Sequence, residues 1–161
     1  MTPALLVEVI TLPVSDVDRA LRFYVDRVGF VLDVDYAPTD AFRVAQLTPP
    51  GSSCSIQLGT GLTDAPAGSV RNTYLLVTDL ETTRAGLLEH GVEVSGIRHK
   101  APVDAWDGSY APGLDADRGD YSSFADFADP DGNTWVLQER GFRRRGGSRG
   151  GSRPCSIART G

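Results

Sequence analysis

The chain has 161 residues, 40% of them hydrophobic and 23% charged, which fits one globular domain or two small repeats sharing a core. No apolar run approaches the roughly 20 residues of a membrane span. Net charge is −5, but the last twenty residues hold Arg143, Arg144, Arg145, Arg149, Arg153 and Arg159 and no acid, so the remainder carries −11 once those six are set aside. So acidic a body disfavours nucleic acid and anionic membranes as partners. Residues 1–9 show no basic segment followed by a cleavage site, so no signal peptide is expected. Two cysteines, Cys54 and Cys155, do not make a disulfide framework. A cytoplasmic chain with reduced thiols is expected.

Taken in chain order, residues 7–14 (VEVITLPV) form a β-branched run suited to a strand. Ser15 or Asp16 then caps a helix whose apolar positions Val17, Ala20, Leu21, Phe23, Tyr24 and Val28 recur at helical spacing, with Gly29 as its stop. Residues 30–36, 42–47 and 53–58 read as three further strands, with Pro-Pro-Gly before the last. The order then returns: a strand over 72–77, a helix from Asp79 to Gly91, and strands over 92–97, 123–128 and 134–139. Asp129-Pro-Asp-Gly132 makes the last turn. Residues 14–17 (VSDV) match residues 77–80 (VTDL) at an offset of 63, and Gly29 matches Gly91 at 62, so the order βαβββ occurs twice as a duplication. Residues 1–140 form the expected domain, with modules at about 5–60 and 70–140. Residues 141–161, rich in Gly, Ser and Arg, read as a disordered basic tail.

Three segments carry a family resemblance. LPVSDVDRALRFYVDRVGF resembles the opening of a vicinal-oxygen-chelate module, VTDLETTRAGLLEHGVEV the opening of a second, and FADPDGNTWVLQE the closing hairpin. This is the glyoxalase, bleomycin-resistance and extradiol-dioxygenase superfamily. The resemblance covers about residues 5–140 and implies an α+β fold: two tandem βαβββ modules forming a cupped, half-open mixed sheet around a pocket. It also implies a homodimer.

Metal-dependent members take four ligands from the first and fourth strands of each module. At the matching positions the usual His is Val9, the usual Glu or His is Gln57, the second His is Asn72 and the usual Glu is Val136. Two valines bind nothing, and neutral amide oxygens are poor ligands for a divalent transition metal. Neither a metal nor any other cofactor is therefore expected.

Period-two alternation puts Thr11 with Val9, Ser55 with Gln57, Tyr74 with Asn72, and Thr134 and Gln138 with Val136. The expected cup has apolar walls, amides and hydroxyls and no charge, which suits an uncharged or aromatic ligand held by Thr11, Gln57, Asn72, Tyr74 and Gln138. Those polar groups could equally hydrogen-bond one another across the sheet. Residues 99–121 form an insertion long enough to be a lid, and Trp106 in it is a further ligand candidate. If acid–base chemistry occurs, His99 is the first candidate, with Tyr110 or Tyr121 as proton donor; a solvated, partnerless His99 is the plainer reading. Arg43 is a possible anion contact whose face alternation leaves open. His90, at a helix end, suits interaction with helix carbonyls.

Four functions compete. The leading one is a metal-free binding module, like the bleomycin-resistance branch, for a small-molecule ligand. The others are a metal-independent isomerase, lyase or cyclase, a metal enzyme with an atypical site, and an RNA contact made by the arginine tail.

Overall fold

The computed structural model describes residues 1–144. The tail proposed from sequence falls mostly outside that range, as does Cys155.

Among the described residues, nine strands and two helical segments form an α+β fold. In the first module β1 (Val9–Thr11) leads into α1 (Val17–Leu21), followed by β2 (Val31–Thr39), β3 (Phe42–Thr48) and β4 (Ser55–Thr60). In the second, β5 (Thr73–Val77) leads into α2 (Leu80–Glu89), then β6 (Arg98–Lys100), β7 (Tyr110–Pro112), β8 (Ser123–Ala128) and β9 (Thr134–Glu139). The first sheet runs β1-β4-β3-β2 and the second β5-β9-β8-β6-β7, both mixed and neither closed. The second therefore repeats the first and adds one edge strand, β7.

The duplication extends to geometry. Asp16 (φ −140, ψ 107) and Asp79 (φ −142, ψ 100) cap the two helices, each accepting the amide three residues on, Arg19 at 2.9 Å and Thr82 at 3.1 Å.

Two elements differ from the sequence expectation. The helix over 17–28 is α-helical only to Leu21; Arg22–Val28 widens into a π turn, and the Gly29 and Phe30 amides both donate to the Tyr24 carbonyl. The widened turn keeps the adjacent rings of Phe23 and Tyr24 both buried. Residues 92–97 form no strand. Val92 and Val94 are buried and Glu93 and Ser95 exposed, so the chain is extended there, but only Val94 bridges, to Phe127. The insertion is not a bare loop either, because it contains β7, hydrogen-bonded to β6.

One core joins the modules. Tyr24 and Phe30 pack on Trp135 with ring centroids 6.0 and 5.7 Å apart, and Phe23 lies 6.3 Å from Phe127. Such aromatic burial supplies much of a small domain's stability. The Asp-Pro-Asp-Gly-Asn turn fastens the seam. Asp129 accepts the Tyr24 hydroxyl at 2.8 Å and Asn133 Nδ2 at 2.8 Å, and Asn133 Nδ2 also donates to the Pro13 carbonyl. Gly68 passes so close beneath this turn that a Cβ would lie 1.9 Å from the Asp131 carbonyl oxygen. Asp131 itself holds Ser15 and, at 3.0 Å, Arg19. No helix among the described residues is long and apolar enough to cross a membrane.

Candidate functional site

Alternation gives each sheet one face packed on the shared core and one turned away from it. On the first sheet Leu12, Ala45, Leu47, Ile56 and Leu58 face the core. Thr11, Gln57 and Gln46 face away; Thr11 is paired with Gln57 and Gln57 with Gln46. Gln57 Nε2 donates to Thr11 Oγ1 at 2.8 Å, so one of the sequence-predicted ligand pairs is already joined. Val34 and Tyr36 on β2 pair with Gln46 and Val44 on this open face and are exposed.

On the second sheet Leu75, Ala125, Phe127, Trp135 and Leu137 face the core. The open face carries Tyr74 and Leu76, which pair with Val136 and Gln138. Tyr74 and Leu76 are 53% and 54% exposed. A surface cavity of about 360 Å³ runs between these two residues and the turn at residues 49–53. Asn72 lies just before β5 in the left-handed region (φ 56), exposed, with its backbone amide on Thr134 Oγ1 at 2.8 Å.

The open face of the second sheet is charged, which differs from the uncharged cup expected from sequence. Arg98 pairs with Phe124, and Asp126 with Val136, in the strand register, which sets them on this face. Arg98 forms a two-pronged ion pair with Asp126, whose Nη2 arm measures 3.1 Å. The uncharged cup follows from the first and fourth strands of each module, whereas these charges sit on the strands between. Alternation along residues 123–128 separates Phe124 and Asp126 from Ala125 and Phe127, and that signal could have found Asp126.

The proposed acid–base residues are not brought together. His99 pairs with Ala111 and Ser123, one residue out of step with Arg98 and Lys100, so it points to the opposite face from Tyr110. Its Nδ1 lies 2.9 Å from the Gly113 carbonyl oxygen. Tyr121 has a left-handed backbone (φ 63), its amide bonds the Glu139 carbonyl, and its ring lies under Arg140. Trp106 stands beside Tyr110, with centroids 5.5 Å apart. Arg43 is occupied by Asp35 and Asp18, each at 2.8 Å, and these carboxylates hold its guanidinium proton more firmly than usual, Asp35 most. The His90 ring nitrogen rests 2.7 Å from the Gly86 carbonyl, as its place at a helix end suggested.

Residues 6–137 match the family model of the glyoxalase/bleomycin resistance protein/dioxygenase superfamily. The chain belongs to this superfamily. Among solved structures, TnmS3, described as an antibiotic binding protein from Streptomyces sp. CB03234, shares 30% identity over 86% of this chain and 98% of its own, with a TM-score of 0.65. A glyoxalase/bleomycin resistance protein from the same organism shares 31% over 83% and 99%, TM-score 0.61. A superfamily member from Sphaerobacter thermophilus DSM 20745 shares 25% over 85% and 98%, TM-score 0.64. No curated protein matches the chain.

The side chains at the positions that the resemblance assigns to metal ligands do not fit a metal. Val9 and Val136 present only carbon, Gln57 is bonded to Thr11, and Asn72 offers a neutral amide. No cluster of three or more His, Cys, Asp or Glu side chains able to hold an ion exists among the described residues.

Proposed function

We propose that the protein binds a small uncharged or aromatic molecule on the open faces of its sheets, without a metal. The observation that carries this reading is the juxtaposition of large exposed apolar side chains, Tyr74 and Leu76, with the amide of Gln138 across the strand pair. A few hydrogen-bonding groups set in apolar surface orient an organic ligand. Thr11, Gln57 and Asn72 complete the ligand set, and Trp106 supplies a ring from the insertion. The likeness to an antibiotic binding protein at 30% identity supports a binding role. Carbon and amide groups at the four superfamily ligand positions argue against chelate chemistry.

The protein acts as a homodimer in this reading, with a second copy closing each open face. Support comes from the large apolar side chains exposed there, Val31, Val34 and Tyr36 on one sheet and Tyr74 and Leu76 on the other. Its place is the cytoplasm, where Cys54 stays a free thiol. Equilibrium dialysis of the full chain against aromatic drug-like compounds tests the proposal. Saturable binding by one or more supports it, and retention of none would overturn it.

A further inference from the structure

We propose that Lys100, with the rings of Trp106 and Tyr110, forms a subsite for the anionic group of a planar aromatic ligand. This rests on the binding reading above and narrows it to aromatic acids.

Strands β6, β7 and β8 place Arg98, Lys100, Tyr110, Phe124 and Asp126 on one open face. Phe124 lies outside the shared core yet is only 2% exposed, because the insertion folds over it. Tyr110 meets its ring edge-on at 5.7 Å, and the Arg98 guanidinium and Lys100 ammonium lie 5.6 and 5.8 Å from its centroid.

The two cations differ in what holds them. Arg98 is spent: both arms bind Asp126, and its carbon sits 4.8 Å over Tyr110. The Lys100 ammonium lies 4.7 Å from the Trp106 centroid and has no carboxylate within ion-pair distance among the described residues. The nearby Asp107 carboxylate is turned to the Ser109 amide at 3.0 Å. Trp106 spends its indole N–H on the Ser109 carbonyl at 2.7 Å, which fixes the ring as a wall rather than a donor. Trp106 and Tyr110 keep 42% and 39% of their surface exposed.

An ammonium with three donors, held by ring faces and lacking an acid, favours an incoming anion through charge-assisted hydrogen bonds. Ring walls beside it favour a flat aromatic body. A cationic ligand meets like charge. An aliphatic acid satisfies the lysine but leaves the rings bare.

Trp106 provides the readout, since the only other tryptophan, Trp135, is buried. The full chain is titrated with 2-naphthoate, its neutral amide 2-naphthamide, and cyclohexanecarboxylate, following tryptophan fluorescence and calorimetric heat. Naphthoate is expected to bind about ten-fold or more tightly than the amide or the aliphatic acid. Lys100→Met and Lys100→Gln should erase the preference over the amide, Lys100→Arg should keep it, and Trp106→Leu should weaken naphthoate while abolishing the signal. Equal binding of acid and amide, or Lys100 variants that bind naphthoate as the parent does, would overturn the subsite. Neutral polycyclic compounds that bind as tightly as naphthoate would do so too, while leaving the general binding role standing. A chain that binds no aromatic compound would defeat both.

Discussion

The Tyr24 hydroxyl donates to Asp129 Oδ2 across 2.8 Å and accepts the Trp135 indole N–H at 3.0 Å, joining the helical segment of one module to the closing hairpin of the other. All three residues are buried, Tyr24 completely. Burial and the neighbouring Asp129 carboxylate push the Tyr24 hydroxyl well above the usual tyrosine range, so it stays a donor at every working pH. Tyr24→Phe removes the donor and leaves both Asp129 and Trp135 short of a partner. The expected loss is about 1–3 kcal/mol in urea unfolding, with a single cooperative transition retained. A loss below about 0.5 kcal/mol would mean the seam is held by ring packing alone.

Glu139 is 0% exposed and is neutralised from the insertion. Arg118 Nε and Nη2 reach its two oxygens at 2.7 and 2.6 Å, and the Leu80 amide adds a third bond at 2.8 Å, so the insertion is tied to the start of α2. Arg118→Met strands a buried carboxylate and should cost about 3–5 kcal/mol. Adding Glu139→Gln to that variant should recover part of the loss, because the charge left unpaired is gone. Thermal unfolding of the two single variants and the double variant measures the coupling, and strictly additive losses would contradict it.

Depressed aspartates, Asp35 and Asp79 among them, set an acid limb. Arg43 beside Asp35 and the Thr82 amide on Asp79 hold these carboxyls below the usual aspartate range. A carboxyl with a lowered folded pKa stabilises above its unfolded value, about 3.9, and that contribution is lost as pH falls through the folded value. Stability should therefore hold from neutral pH down to about 4 and then fall. Asp35→Asn should be less stable than the parent at neutral pH and converge with it in the acid limb. Parallel curves for the two proteins across that range would contradict the assignment.

Module order and helix starts were legible because they depend on short-range signals: a capping aspartate, apolar spacing and a stop glycine, each occurring twice. Residues 92–97 alternate as a strand does, yet alternation reports which side chains are buried, not whether a backbone ladder forms. There the Ser95 amide donates to the Asp126 carbonyl, but the Asp126 amide goes to the Ser95 hydroxyl and Arg84 binds the Ser95 carbonyl, so pairing ends after one bridge. The polar faces of β1 and β4 could be assigned from period two alone. The pairing of Arg98 with Asp126 could not, since it depends on a register between strands 28 residues apart. His99 shows the same limit: a three-residue strand fixes its face, and nothing in its local sequence marks that strand.

The most direct test of the central claim is thermal unfolding of the full chain against a panel of aromatic small molecules, neutral and acidic, beside a series of divalent metals. A binder present at about a hundred-fold over its Kd should raise Tm by about 5–10 °C. The rise should shrink in Gln138→Leu and Tyr74→Ala variants, and the metals should leave Tm unchanged. A saturable shift with a divalent metal and none with any organic compound would contradict metal-free ligand binding and restore chelate chemistry as the function.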